Sequence, residues 1–375
     1  MTLVTRREAV KAAAAVAAGM VGAAPAPTAP ATAAPAVRRG RTARIRFGVI
    51  GINHAHIYGQ VAATIRGGGE PVSYFAAEEN LRAEFARRFP RIRLARDERE
   101  ILEDASIQLV LSSIVPDQRA PLGIRVMQHG KDYMADKPGI TTLDQLAEVR
   151  RVQAATGRIY SIMYSERFES RATVRAGDLV QAGAIGDVIQ TVGLGPHRIN
   201  PPSRPEWFWD PARYGGILCD IASHQFDQFL FLTGSTRAEI VAAQVGNFHN
   251  PEHPAFQDFG DALVRGNGGT GYIRVDWFTP AGLPTWGDTR LTILGTAGYI
   301  EVRKNVDIGG RPGGDHLFLT DGSGVRRIDC GDVALPYGER LVDDVLNRTE
   351  TAMSQAHCFL ATELALLAQQ QARKL

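Results

Sequence analysis

The run Arg44-Ile45-Arg46-Phe47-Gly48-Val49-Ile50-Gly51-Ile52-Asn53-His54-Ala55-His56 decides the fold. An apolar stretch over 45–50 ends at a glycine, and a helical pattern begins at once over 56–65. A strand that passes into a helix through a glycine is the first turn of a doubly wound sheet. A dinucleotide pyrophosphate meets the helix N-terminus at such a turn. Gly51 fits the tight-turn position. Asn53 occupies the second glycine position of the fingerprint and His56 the third. Asn tolerates positive φ better than most residues, so Asn53 still lets backbone come near a phosphate. The alternative for these residues alone is a plain strand–helix turn with no nucleotide.

Outward from this turn, strand and helix alternate. Strands are expected over 71–77, 107–114, 131–135 and 159–164, with helices over 81–89, up to 130, and over 143–155. The continuous apolar run at 107–114 suits a parallel strand covered on both faces. The pattern predicts a Rossmann-type doubly wound α/β domain over 44–165, with its ligand at the carboxyl ends of the strands. After Phe168 the rhythm changes. A helix over 174–181 and a strand over 188–193 precede an aromatic-rich irregular stretch, 196–214, and a helix over 221–232. Seven short strands then follow between 239 and 328, separated by turns such as Gly266-Asn267-Gly268-Gly269, and a last helix spans 354–373. Short strands at this spacing predict a mostly antiparallel sheet, so the second domain, 166–375, is also α/β.

Composition excludes several classes. The 375 residues are 44% hydrophobic and 22% charged, as in ordinary globular chains. With 42 basic and 40 acidic residues there is no basic excess for nucleic acid. Six basic residues and one acidic residue precede Arg44, which leaves 36 basic and 39 acidic in the body of the chain. Three cysteines, Cys219, Cys330 and Cys358, are too few and too scattered for a disulfide framework or a zinc knuckle.

The front end, 1–43, reads as an address. Thr5-Arg6-Arg7-Glu8-Ala9-Val10-Lys11, a weakly apolar Ala/Gly run and a Pro/Ala/Thr tract resemble the twin-arginine export signal of bacteria. A disordered Ala-rich tail is the other reading. The apolar run is too short and weak for a stable membrane span. The resemblance implies a periplasmic or extracellular location, reached through the twin-arginine machinery in the folded state. A cofactor would then be loaded before export and tightly held.

Three further stretches carry chemistry. Ala76-Ala77-Glu78-Glu79-Asn80 follows the second expected strand, where an acid takes the ribose hydroxyls of NAD. Glu78 is the candidate. No Arg or Lys sits at this turn, so NAD is favoured over NADP, with NADP left open. Asp136-Lys137-Pro138 puts an ammonium at a strand's carboxyl end, over the ligand crevice or in a surface ion pair. In Gly215-Gly216-Ile217-Leu218-Cys219-Asp220-Ile221-Ala222-Ser223-His224, Asp220 and His224 are i and i+4 and share a face if the segment is one helix. They read as a carboxylate-held general base or as a solvated ion pair.

The Gly51 turn, Asp136-Lys137-Pro138, Gly186-Asp187 and the Gly215-Gly216 block through His224 together resemble the family of glucose–fructose oxidoreductase and inositol dehydrogenase (Gfo/Idh/MocA). The resemblance covers the chain from about Arg44 onward. It implies a Rossmann domain followed by an α/β domain with an open, mostly antiparallel sheet. A small carbohydrate substrate, a sugar, glycoside or cyclitol, would lie between that sheet and the nicotinamide. Cofactor contacts fall to Gly51, Ile52, Asn53, His54, Glu78, Pro116, Arg119, Asp136 and Lys137. Substrate contacts fall to Arg167, Trp207, Trp209, Tyr214 and His224. Asp136 stands where glutamate is commoner, and Phe208 where the family often has arginine after tryptophan. The implied chemistry is oxidation of a secondary hydroxyl: His224, steered by Asp220, takes the proton, and Lys137 stabilises the alkoxide. A glycosidase or lyase working through transient oxidation is the alternative, and a non-catalytic sensor is another. No metal is expected, since His249 and His253 lack further ligands. An exposed sheet face makes a homo-oligomer the expected assembly.

Overall fold

The computed structural model describes residues 44–375. The export signal and linker expected over 1–43 lie outside the described residues. The first sheet is parallel throughout. Its strands are β1 (Ile45–Ile50), β2 (Gly69–Phe75), β3 (Arg93–Leu94), β4 (Leu109–Ser112), β5 (Asp132–Asp136) and β6 (Tyr160–Met163), in the order β3-β2-β1-β4-β5-β6. The winding direction reverses between β1 and β4, which opens a ligand crevice at their carboxyl ends. β4 and β5 are buried along their whole length, and for β4 the continuous apolar pattern requires it. Helix Leu143–Thr156 starts on the Thr142 hydroxyl, which accepts from the Gln145 N–H, and stops at Gly157 in the left-handed region.

The second sheet holds β7 (Val188–Pro196), β8 (Ala238–Gly246), β9 (Phe259–Gly266), β10 (Gly269–Asp276), β11 (Arg290–Gly295), β12 (Gly298–Arg303), β13 (His316–Asp321), β14 (Gly324–Ile328) and β15 (Arg373–Lys374). Their order is β14-β13-β12-β11-β7-β10-β9-β8-β15. Pairing is antiparallel except for β7 with β10 and β8 with β15. Helices Ser223–Thr233 and Gln355–Gln371 pack against the sheet, and the second of these also meets helix Leu143–Thr156. Strand residues on the opposite face stay open, with Leu263, Leu294 and Tyr299 each about two fifths exposed. Among the described residues no helix is long and apolar enough to cross a membrane.

The short helices Ser165–Phe168 and Pro211–Tyr214 escape the sequence reading, and so do two more. Glu98–Leu102 is mostly charged and buries only Ile101 and Leu102. Tyr337–Asn347 packs on helix His56–Arg66, and a side chain at Gly338 would collide with the Ala63 carbonyl. Another difference bears on function. The helix expected over 221–232 begins at Ser223, and Ile217–Asp220 is a separate short helix. Between them the Ala222 N–H reaches back five residues to the Ile217 carbonyl, and the His224 N–H only three, to Ile221. One wide turn followed by one tight turn marks the junction, and Asp220 bonds to Lys137, with no hydrogen bond to His224 among the described residues.

Candidate active site

A cavity of about 520 Å³ opens at the carboxyl ends of β1, β2 and β4. Gly51 forms its floor with φ +76°, and a Cβ there would lie 2.5 Å from the Ile114 Cβ. Its N–H donates to the Phe75 carbonyl at 2.9 Å, and its carbonyl accepts from the Ser113 N–H at 3.0 Å. The turn therefore stitches β2 to the end of β4. Glu78 lies just past β2 and lines the cavity with Asn53, whose Nδ2 donates to Glu78 Oε1 at 2.7 Å. Trp207, Asp210 and Arg213 come from the second half of the chain, and Arg213 Nε pairs with Asp117 Oδ2 at 2.7 Å. The bare Gly51 Cα and the acid beside it fit the diphosphate and ribose of a dinucleotide, so the nucleotide reading of the turn fits better than the plain one.

At the end of β5, Asp136 gathers charge. Its Oδ1 accepts from His56 Nδ1 at 2.9 Å and from the Lys137 N–H at 2.7 Å. Its Oδ2 accepts from Arg119 Nη2 at 3.1 Å and lies 3.2 Å from His54 Nδ1. Burial acts to raise this carboxyl, but His56 and Arg119 outweigh it and hold Asp136 well below the usual range. The donor atoms of His54, His56 and Asp136 lie within 4.8 Å of one another. Both Asp136 oxygens are nevertheless taken, and two fixed cations adjoin, which makes a saturated hydrogen-bond hub and a poor seat for a dication. Arg119 Nε and Nη1 are spent on the carbonyls of Ile114 and Lys137. Arg119 thus braces the Lys137 loop from beneath.

Lys137 Nζ donates to Asp220 Oδ1 at 3.0 Å, with both side chains largely buried. Burial works to raise the Asp220 carboxyl, and the Lys137 charge and hydrogen bond bring it below its ordinary value. Asp220 therefore serves Lys137. His224 is 2% exposed and its Nδ1 has no hydrogen-bond partner among the described residues. Two groups that the sequence reading missed stand near it. His197, directly after β7, has its ring centroid 4.5 Å from that of Trp286. Glu166 accepts from Lys304 Nζ at 2.6 Å inside the fold. Gly195-Pro196-His197 closing a strand was the one available signal for His197; Glu166 offered none.

Burial pushes His224 down to about 4 and His197 to about 3. Both are neutral in the folded protein at neutral pH. Their unfolded counterparts gain a proton below about pH 6.5, so folding stability falls as pH drops from 6.5 towards 4. Thermal melts between pH 7.5 and 5 are expected to show a loss of about 1–2 kcal/mol per buried imidazole before the carboxylates titrate. His224 contributes most, because His197 is only partly buried. The variant His224→Gln should flatten part of that slope.

Other expected contacts sit elsewhere. Arg167 makes a two-pronged ion pair with Asp227 at 2.6 and 2.7 Å, under Phe168 and Phe231. His357 completes that cluster. Arg167 thus holds the core, and its donors Nε and Nη2 are spent on Asp227. Tyr214 is 2% exposed and packs with Phe208 and Phe256, so it offers no platform to a sugar. Trp209 stacks on His253 at 3.9 Å. Trp207 lines the nucleotide cavity, as do Val115 and Gln118 at the start of helix Pro116–Gln128, whose first turn holds Pro116 and Arg119 away from it. Ile52 is buried.

Comparisons with known proteins agree with the fold. Residues 45–164 match the family described as "Oxidoreductase family, NAD-binding Rossmann fold", and 173–301 match the Gfo/Idh/MocA C-terminal domain. A crystal structure from Erwinia carotovora atroseptica SCRI1043 is 46% identical with a TM-score of 0.86, covering 88% of this chain and 99% of that one. Levoglucosan dehydrogenase of Pseudarthrobacter phenanthrenivorans is 28% identical over 244 residues, 63% of this chain and 60% of that protein. The oxidoreductase YdgJ of Escherichia coli is 26% identical over 51% of this chain and 54% of its own length. The alignments thus span little more than half of these curated relatives. A structure of levoglucosan dehydrogenase with NADH and levoglucosan has a TM-score of 0.73 at 18% identity, covering 88% of this chain and 98% of that one, a likeness of fold. The chain belongs to the Gfo/Idh/MocA oxidoreductase family, with an NAD-binding Rossmann domain and the family's C-terminal domain.

Proposed function

We propose that this chain is a nicotinamide-dependent oxidoreductase that oxidises a secondary hydroxyl of a sugar, glycoside or cyclitol. The observation that carries the reading is the Lys137–Asp220 pair, buried at the carboxyl end of β5 within the electrostatic reach of His224. Gly51, Asn53, Glu78 and Trp207 would hold NAD, which supplies the hydride acceptor. Lys137, fixed by Asp220, presents its remaining N–H groups to the substrate oxygen and stabilises the charge that develops there. His224 is neutral and desolvated, and takes the hydroxyl proton. His197 and Trp286 offer a polar tip and an aromatic face to a polyhydroxylated ring. Levoglucosan dehydrogenase and scyllo-inositol 2-dehydrogenase, both named for such substrates, are among the similar proteins.

The finer parts of the reading concern place and assembly. The protein is exported by the twin-arginine route and retains its cofactor. A second copy covers the open sheet face around Leu263, Leu294 and Tyr299. The test is to purify the exported protein, release and quantify bound nicotinamide on denaturation, and follow its reduction with anhydrosugars and inositols. Turnover with polyols and none with simple alcohols is expected. Failure of every polyol to reduce the cofactor would defeat the reading, and release of an aglycone without net reduction would move it to elimination chemistry. Replacing Arg6 and Arg7 with Lys should retain a fused reporter inside the cell.

A further inference from the structure

The pairing expected from sequence leaves His224 without a carboxylate, because Asp220 is committed to Lys137. Another carboxylate stands ready. Glu166 is 6% exposed, and its Oε2 accepts from Lys304 Nζ at 2.6 Å and from Gln225 Nε2 at 2.8 Å. Gln225 follows His224 directly, and Gln228 one turn later donates from Nε2 to the His224 carbonyl at 2.8 Å. Lys304 Nζ also donates to Gln228 Oε1 at 2.6 Å. The carboxylate is thus tied to the helical turn that carries the imidazole. The remaining Glu166 oxygen, Oε1, and His224 Nδ1 are both buried and both unpartnered, and buried polar atoms of this kind call for a reason.

We propose that Glu166, clamped by Lys304 and tied to the turn of His224 through Gln225, is the carboxylate that sets the basicity of His224. This rests on the reading of His224 as the base. The other charged groups that act most strongly on the imidazole are Lys137, His56 and Lys304, with the Tyr164 ring at its edge. Among these Glu166 alone is negative. It favours a proton on the imidazole, which strengthens a base that burial weakens. The Lys304 ammonium keeps the carboxylate ionised without reaching the substrate, and a buried ion pair of this type is retained for such a role more readily than for stability.

The experiment combines pH–rate profiles with nitrogen NMR of the His224 ring in the holoenzyme, for Glu166→Gln, Glu166→Asp and Asp220→Asn. In Glu166→Gln the His224 titration and the acid limb of the profile should move to lower pH by about one unit, with kcat down about 10–100-fold. Glu166→Asp keeps the charge and should restore most of both. Asp220→Asn should move the His224 signals less. If Glu166→Gln leaves the ring signals and the acid limb in place, or moves them no more than Asp220→Asn, the proposal fails. Should Glu166→Gln not fold, the double variant Glu166→Gln with Lys304→Met removes the buried pair together; a His224 titration left in place then sinks the proposal, and a shift to lower pH supports it. The NMR signals need no turnover. A fully active His224→Gln would therefore overturn the dehydrogenase reading while leaving the link between Glu166 and His224 readable.

Discussion

Lys137→Met should lower kcat on the best polyol by about 10³-fold or more while leaving the nucleotide content of the purified protein nearly unchanged. Removing one preorganised donor at a developing oxyanion costs about 10²–10³ in rate, and this substitution removes the charge as well. It also strands Asp220, whose carboxylate is 14% exposed and has Lys137 as its ion-pair partner. A buried carboxylate without its cation shifts upward and takes a proton, so the site loses both charges together. Two controls separate the effects. Asp220→Asn keeps the ammonium but frees it to wander, and should cost less than Lys137→Met, chiefly in kcat. Lys137→Arg keeps the charge with a planar head that cannot reproduce the point contact, and should recover little. Equal turnover in Lys137→Met and the parent enzyme would remove Lys137 from the chemistry.

What the sequence reveals and what it conceals divides along a physical line. The parallel sheet is legible because β4 is buried on both faces and announces itself as an apolar run. Gly51 is legible because a tight turn with positive φ admits few other residues. Lys137 is legible because a strand's carboxyl end in such a sheet faces the ligand. The partnerships are hidden. Asp220 pairs with Lys137 and makes no bond to His224 among the described residues, and that choice cannot be read from the run Asp220-Ile221-Ala222-Ser223-His224. Arg167 looked available because its partner, Asp227, lies sixty positions away on another helix. Glu166 was invisible for the same reason: its cation, Lys304, arrives from the far end of β12. Local pattern gives elements, and tertiary pairing decides which charges remain free for chemistry.

The second large effect is expected at the floor of the nucleotide cavity. Gly51→Ala should weaken NAD binding by about 100-fold or more and destabilise the fold by roughly 2–4 kcal/mol, since two penalties add. The first is conformational. At φ +76° an L-residue with a Cβ loses about 1–2 kcal/mol. The second is steric. The new methyl would stand 2.5 Å from Ile114 Cβ and 3.0 Å from its Cα, so side-chain rotation cannot relieve it and the end of β4 must move. That movement would pull on the Ser113 N–H to Gly51 carbonyl bond and on the His54 N–H to Ser113 carbonyl bond, which together set the height of the turn beneath the diphosphate. Gly157→Ala isolates the first penalty. Gly157 also has positive φ, +62°, but nothing lies within 4 Å of its would-be Cβ. It should cost about 1 kcal/mol and leave NAD affinity untouched. Titration calorimetry and thermal melts on both variants then separate strain from collision. If Gly51→Ala binds NAD as tightly as Gly157→Ala does, the turn after β1 is not where the diphosphate sits.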